Sequence, residues 1–159
     1  MRTIFQTKIL NDYRSKTPRG FYHWLRGHSG VDCDYRYENL PSPVSGEIVG
    51  IMNQNEMGKV IYLKDFKGTI HVFAHMSVIS PSLHAKIKRG DLLGITGNTG
   101  SRTTAPHLHY EIICTKDSVA KPSPFDLIMI RKELPFKGFN RNPIIYLAQL
   151  YEEYKVPIS

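Results

Sequence analysis

The sequence predicts a mainly β protein, a compact antiparallel sheet or sandwich with a groove over the sheet and one C-terminal helix. Twelve glycines and ten prolines are spread along 159 residues, which favours short strands separated by turns. Segments rich in β-branched residues recur between residues 44 and 115. Apolar residues at helical spacing occur near the C-terminus, from about residue 143.

The first predicted strands form a hairpin. Val44–Met52 and Lys59–Asp65 are rich in β-branched residues, and the segment between them contains two asparagines and a glycine, a typical turn composition. A third strand, Thr69–His75, follows the next turn. Because side chains alternate along a strand, His71 and His75 are predicted to face the same way.

Two more strands and a helix complete the predicted order. Leu92–Thr96 is a short strand, and His107–Thr115 is the last strong one. Polar loops are predicted at residues 77–85 and 96–105. Pro143–Tyr154 is predicted to be an amphipathic helix, with Asn142 as its N-cap and Pro143 at its first position.

Charge and composition suggest three regions in one globular unit. Residues 1–21 are a basic N-terminal segment, residues 22–120 the core, and residues 121–159 a C-terminal extension with the helix at about 143–154. Residues 1–27 carry six basic side chains and one acidic one, whereas residues 28–120 carry nine of each. A basic fringe around a neutral middle suits an anionic polymer such as nucleic acid or bacterial wall.

Several classes of protein are excluded by pattern. No apolar run approaches the roughly 20 residues that cross a bilayer, and the first residues lack the apolar region of a secretory signal. Nucleic acid is not expected as a partner, since neither a stacked-aromatic motif nor a helix-turn-helix pattern occurs. The two cysteines, Cys33 and Cys114, form no paired metal motif and are expected to be reduced.

Two local patterns among the seven histidines point to a metal site. In His107-Leu108-His109, the i,i+2 spacing directs both imidazoles to one face of a strand. In His28-Ser29-Gly30-Val31-Asp32, a turn at Gly30 can swing the imidazole and the carboxylate towards one point. Imidazole and carboxylate ligands suit a catalytic zinc ion that leaves one position to water.

At these residues the chain resembles the lysostaphin/LytM-type zinc endopeptidases, which cut peptidoglycan peptides. The resemblance covers about Tyr22 to Ile113. It rests on five segments in the family's order: HSGVD (28–32), PVSGEI (43–48), FAHMS (73–77), KRGDLLGITGNTG (88–100) and HLHYE (107–111).

The resemblance implies an antiparallel β fold with a groove and a Zn²⁺ ion at its centre. The implied zinc ligands are His28, Asp32 and His109. The implied catalytic residues that stay off the metal are His107, His75 and Tyr22. Tyr22 would face the reacting carbonyl, with a packing role as its alternative and Trp24 as a competing groove-wall aromatic.

Roles within this set follow from the chemistry of peptide hydrolysis. His107 is preferred as the general base and His75 as its partner or as an oxyanion stabiliser, but the sequence does not separate these two roles. Glu111 is expected to form an ordinary strand salt bridge, with support of a ligand imidazole as the alternative. His71 is expected at the surface.

The predicted function is that of a zinc-dependent endopeptidase acting on peptidoglycan, either at the cross-bridge or in the stem peptide. The main alternative is a catalytically silent wall-binding or activator module of the same fold. A biotinyl- or lipoyl-type carrier domain is disfavoured, since it leaves five histidines unexplained. The chain is expected to act as a monomer at the cell wall, in the periplasm or outside the cell, as a phage-encoded or processed form.

Overall fold

The computed structural model describes residues 1–15, 28–115, 130–131 and 138–154. A short 3-10 helix, Ile4–Gln6, precedes the first strand. The strands are β1 Ile9–Asn11, β2 Val31–Cys33, β3 Asn39–Pro41, β4 Gly46–Gln54, β5 Gly58–Asp65, β6 Ile70–Ile79, β7 Lys86–Ile87, β8 Leu92–Thr96, β9 Leu108–Cys114, β10 Ile130–Arg131 and β11 Gly138–Arg141. One α-helix, α1 at Pro143–Tyr154, is found in this part of the chain.

The strands form one antiparallel sheet with the order β1-β2-β9-β6-β5-β4-β7. β8 pairs with β6 and β3, while β11 pairs with β9 and β10. The centre of the sheet is therefore β9 and β6, each of which has three neighbours. The mainly β fold with one C-terminal helix, predicted from the sequence, is confirmed.

The predicted strands are all present, but β6 is longer than expected. It continues past His75 to Ile79 because its second half pairs with β8, where Met76 lies opposite Thr96 and Ile79 opposite Gly94. The predicted loop at residues 77–85 therefore begins later. Alternation alone could not reveal this extension, since it depends on a partner strand distant in sequence.

The two faces of the sheet carry apolar clusters of different size. The larger cluster includes Tyr35, Phe73, Leu108 and Tyr110, and α1 adds Leu147 to it. The smaller cluster lies on the opposite face; its buried members are Val60, Tyr62, Ile70, Val72, Ala74 and Ile113. On the same face, the part of the sheet formed by the neighbouring strands β2, β9 and β6 carries polar side chains.

The C-terminal helix begins as predicted. The Asn142 side-chain oxygen accepts hydrogen bonds from the Ile144 and Ile145 backbone N–H groups, at 3.1 and 3.4 Å. This is N-cap geometry, with proline at the position where a missing N–H does no harm. Tyr146 and Leu150 are buried against the sheet. The division of the chain into three regions stays a prediction.

Two expectations about composition can also be compared with the structure. Within the described ranges, no helix has the length and apolar character needed to cross a bilayer. Cys33 and Cys114 are both buried and reduced, as predicted. Burial raises the pKa of the Cys33 thiol to about 12, so this thiol is inert at neutral pH.

Candidate metal centre

A row of polar residues crosses three neighbouring strands on the face that carries the smaller cluster. In the strand register, Asn11 lies opposite Asp32, and Asp32 lies opposite His109. His109 in turn lies opposite Ala74. Side chains directly opposite each other in a sheet are close neighbours, so pairing alone brings Asp32 and His109 together.

His28 joins this pair from the turn before β2. The turn is tight: a Cβ atom at Gly30 would lie 2.3 Å from the Tyr110 carbonyl oxygen, so glycine is needed for this approach to β9. The His28 backbone N–H donates to the Ser15 carbonyl at 3.0 Å. The N-terminal segment therefore helps to hold the turn.

Three donor atoms converge at one point. His28 Nε2 lies 3.0 Å from His109 Nδ1 and 3.3 Å from Asp32 Oδ1. His109 Nδ1 lies 3.2 Å from the same oxygen. All three residues are at least 95% buried. Within the described residues, they are the group of histidine, cysteine and acidic side chains close enough to share a metal ion.

These distances match the edges of a small coordination polyhedron. Two ligands of a four-coordinate zinc ion, with bonds of roughly 2.0–2.1 Å, lie about 3.3 Å apart. The three separations in the structure fall between 3.0 and 3.3 Å. The donor set and its spacing therefore fit a metal ion.

The outer contacts of the two histidines orient their lone pairs inwards. His28 Nδ1 lies 3.2 Å from the Asp12 carbonyl oxygen, which can only accept, so this nitrogen carries the hydrogen. His109 Nε2 lies 2.8 Å from Glu111 Oε1 and donates to that carboxylate. Both facing nitrogens, His28 Nε2 and His109 Nδ1, are then directed at the point where a cation would replace the proton shared with Asp32.

The electrostatics of the cluster favour a charged carboxylate. Burial alone would raise the pKa of Asp32, but hydrogen bonds from His109 and His28 outweigh it and hold that pKa well below its usual range. For His109, burial would lower the pKa, yet hydrogen bonds to Asp32 and Glu111 raise it to about 9. The charged carboxylate of Asp32 therefore favours binding of a cation at this cluster.

His107 presents an unused nitrogen to the same point. Its Nδ1 donates to the Ala105 carbonyl at 2.9 Å, which leaves a lone pair on Nε2. That Nε2 is buried without a hydrogen-bond partner among the described residues, and it lies 3.5 Å from Asp32 Oδ1. A buried polar atom without a partner calls for an explanation, such as a reactant or ion.

His75 reaches the site through a β-bulge. Between the pairs Ile61–Phe73 and Lys59–Met76, β6 has two residues where β5 has one. His75 is the extra residue and adopts φ = 62°, a conformation that a histidine rarely takes. The bulge turns the ring towards His107, with centroids 4.8 Å apart, and towards His109 at 6.2 Å.

The environment of His75 keeps its ring neutral. Burial, together with the nearby His109, lowers the pKa of His75 to about 4. Its Nδ1 donates to the Thr99 carbonyl at 2.7 Å. Nε2 therefore carries a lone pair and can accept a hydrogen bond or a proton, as His107 Nε2 can.

The expectations for His71 and Glu111 were both wrong. His71 is fully buried, not at the surface. It lies on the opposite face from His75, because the bulge interrupts the alternation that would have placed them together. Glu111 is also fully buried, and it holds the His109 ring where an ordinary strand salt bridge was expected. Tyr22 and Trp24 lie outside the described residues.

Other contacts to the ligands were not predicted. Asn11 donates to Asp32 Oδ2 at 3.0 Å. Ser29 and Asn140 donate to the two oxygens of Glu111, at 3.2 and 3.0 Å. The only signal in the sequence was the acidic residue two positions after His109, since Asn11 and Asn140 reach the site only through strand pairing.

The comparisons with known proteins agree with this geometry. Residues 26–121 match the model of Peptidase family M23. Among curated relatives, the chain is 36% identical to Peptidoglycan DD-endopeptidase ShyA of Vibrio cholerae, over 54% of this chain and 20% of that protein. It is 30% identical to DD-carboxypeptidase/endopeptidase Mpg of Neisseria meningitidis, over 76% of this chain and 30% of that protein.

A solved structure gives the same fold. The catalytic domain of lysostaphin from Staphylococcus simulans superposes with a TM-score of 0.69, covering 91% of this chain and 95% of that domain at 21% identity. The chain spans 20% and 30% of the length of the two curated relatives. The matched region contains the three converging donors together with His75 and His107. From the family model and this site together, the chain belongs to Peptidase family M23.

Proposed function

We propose that this chain is a zinc-dependent endopeptidase that hydrolyses peptide bonds in bacterial peptidoglycan. The observation that carries the proposal is the convergence of His28 Nε2, Asp32 Oδ1 and His109 Nδ1 at separations of 3.0–3.3 Å. Two histidines and one carboxylate form a donor set used by catalytic zinc, in which one position stays open.

The proposed mechanism divides the work between the metal and two histidines. His28, Asp32 and His109 would hold a zinc ion, which would supply a Lewis acid for the carbonyl and lower the pKa of water into the neutral range. His107 is the general base: its Nε2 lone pair is buried, unpartnered among the described residues and directed at the donor cluster. It takes a proton from the attacking water and later delivers one to the leaving amine.

His75 is assigned an accepting role. Because its Nδ1 hydrogen is used by the Thr99 carbonyl, a neutral His75 cannot donate from Nε2. Its low pKa favours this neutral form. We therefore assign His75 to accept a hydrogen bond from the attacking water and orient it, in preference to the oxyanion role. Tyr22 is retained as a candidate for the oxyanion contact.

Peptidoglycan is proposed as the substrate from the family and from the relatives' names. Both curated relatives are named as DD-endopeptidases, one also as a carboxypeptidase, which supports a peptide link between D-configured residues. Peptidoglycan lies outside the cytoplasmic membrane, so we place the site of action in the cell envelope or outside the cell. The proposal thus includes zinc as the metal, a peptide link between D-configured residues as the bond that is cut, and the cell envelope or the outside of the cell as the location.

The test is hydrolysis of purified cell walls by the full chain. Loss of turbidity is measured for the protein as purified, after removal of metal with a chelator, and after zinc is restored. We expect activity to vanish with the metal and to return with zinc. Mass spectrometry of the released fragments, from walls of known cross-link type, identifies the bond. Activity that is unchanged after complete metal removal would overturn the proposal.

The silent-module alternative makes a different prediction in the same experiment. A wall-binding module would sediment with the walls but release no peptide fragments under any metal condition. The three proposed donors, His28, Asp32 and His109, and the two proposed catalytic histidines, His75 and His107, are all present in this chain, which favours the enzyme. Matched walls incubated with a His107→Ala variant control for release by contaminating hydrolases.

A further inference from the structure

We propose that Asn11 and Asn140 are positioning residues that hold two of the three metal ligands from behind. The inference rests on the proposed function, because it concerns the same metal site. Both asparagines lie outside the region that matches the family model, residues 26–121. The N-terminal and C-terminal segments would then complete the metal site as well as covering the core.

Asn11 fixes the carboxylate of Asp32. Asn11 is directly opposite Asp32 in the β1–β2 register, and its Nδ2 donates to Oδ2 at 3.0 Å. The other oxygen, Oδ1, is the one that lies within 3.3 Å of both ligand imidazoles. With one oxygen held by an amide, the carboxylate cannot rotate, and Oδ1 is kept in the donor cluster.

Asn140 acts on His109 through Glu111. Its Nδ2 donates to Glu111 Oε2 at 3.0 Å and to the Ile112 carbonyl at 2.8 Å. Glu111 Oε1 accepts from His109 Nε2 at 2.8 Å. The chain of contacts fixes both the orientation and the tautomer of the His109 ring, the usual task of outer partners at metal sites.

The way that Asn140 is buried supports a specific task. Its side chain is completely buried, and both of its strong contacts use the amide nitrogen. Its Oδ1 has no hydrogen-bond partner among the residues that the structure describes. A buried acceptor left unpaired is unfavourable. The orientation of the amide is therefore explained by the hydrogen bond that its nitrogen donates to Glu111.

The test measures zinc affinity, not activity. Asn11→Leu and Asn140→Leu replace the amide donors by an apolar side chain with the same branching pattern. The zinc dissociation constant of each full-length variant is measured by competition with a chromophoric chelator. We expect each substitution to weaken zinc binding about 10- to 100-fold, and the double variant to be weaker than either. Asn140→Ala serves if Asn140→Leu does not fold.

Asn142→Ala is the matched control. Asn142 lies two residues from Asn140 and caps α1, and no contact between it and a metal ligand is found in the described part of the chain. Thermal unfolding in excess chelator is measured for every variant. Asn142→Ala should lower the midpoint and leave the zinc dissociation constant within about twofold of the parent.

The outcomes separate this inference from the proposed function. If the asparagine variants bind zinc within twofold of the parent, the positioning role is wrong even when the parent is an active zinc enzyme. If Asn142→Ala weakens zinc binding as much as they do, the effect is general destabilisation and the inference fails. If the parent itself binds no zinc, the proposed function fails first.

Discussion

Two buried clusters of histidine and aspartate lie in the same sheet, and they differ in how completely their nitrogens are paired. In the first, His28, Asp32 and His109 converge, and neighbouring His107 has an Nε2 with no partner among the described residues. In the second, His71 donates or accepts at both nitrogens, at 2.7 Å from the Tyr110 hydroxyl and 2.8 Å from Asp65.

The second cluster ties the C-terminal helix to the sheet. Asp65 Oδ2 also accepts from the Tyr146 hydroxyl of α1 at 2.7 Å, and Asp65 Oδ1 accepts from two backbone N–H groups. Burial would raise the pKa of Asp65, but hydrogen bonds from His71 and Tyr146 keep it below its ordinary value. Among the described residues, both oxygens of Asp65 and both ring nitrogens of His71 have hydrogen-bond partners, which is the pattern of a structural cluster.

The comparison teaches that a buried histidine beside an aspartate does not by itself mark a functional site. Both aspartates have lowered pKa values for the same reason, hydrogen bonds that outweigh burial. What distinguishes the first cluster is that three donor atoms, two imidazole nitrogens and one carboxylate oxygen, converge on one point, whereas His71 is paired at both nitrogens. Substitutions in the two clusters should therefore affect different measurements, metal binding in one and folding stability in the other.

The largest effect is expected from removing a metal donor. Asp32→Ala or His109→Ala deletes one of three donors and should weaken zinc binding by more than the roughly 10- to 100-fold that loss of an outer partner costs. Wall hydrolysis should fall to the level of the chelated parent. Metal analysis of the purified variants, with His71→Ala as control, measures this. Full zinc occupancy in either variant would contradict the assignment of the donors.

His107→Ala should separate metal binding from catalysis. We expect one zinc per chain to be retained, while turnover falls about 10²- to 10⁴-fold, the usual contribution of a general base. Metal analysis and initial rates on the same preparation provide both values. Loss of the metal in this variant together with its retention in His109→Ala would reverse the two roles.

His71→Ala should give the opposite result. It removes one of the two donors to Asp65 Oδ2 and leaves the Tyr110 hydroxyl without the ring nitrogen that it contacts, which costs about 1–3 kcal/mol of unfolding free energy. Zinc affinity of the folded protein should not change. Denaturant unfolding and chelator competition test the two halves of this prediction. A loss of zinc affinity comparable to that of a donor variant would show that the two clusters are coupled.

The smallest effect is expected from Tyr146→Phe. This change removes one hydrogen-bond donor to Asp65, the Tyr146 hydroxyl. Asp65 keeps its hydrogen bonds with His71 and with two backbone N–H groups. We expect a loss of about 1 kcal/mol in unfolding free energy and unchanged zinc binding and turnover. A stability loss as large as that of His71→Ala would mean that docking of α1 depends mainly on this one contact.

Local patterns in the sequence were sufficient to predict much of the fold. β8 begins and ends where its short apolar run does, and α1 begins at the predicted Asn142 cap, because such signals depend on near neighbours in the chain. The candidate donors were identified from the resemblance of the HSGVD and HLHYE segments to a known family, because nothing local in the chain shows that Asp32 and His109 lie on adjacent strands.

What the sequence did not reveal depends on pairing between distant segments. The bulge at His75 arises from the register of β6 against β5, and a one-residue shift reverses which face a side chain occupies. The contacts of Asn11 and Asn140 require β1 and β11 to join the sheet beside β2 and β9. The burial of His71 follows from Asp65 and Tyr110, neither of which is adjacent to it in the chain.

The positions of Asn11 and Asn140 also have a consequence for biosynthesis. Asn11 lies on β1 beside β2, and Asn140 lies on β11 beside β9. The outer supports of the donors come from β1 and β11, and β11 is synthesised after every other described strand. Contacts between such distant segments form late. A nascent chain should therefore hold its metal tightly only after β11 has emerged and paired with β9.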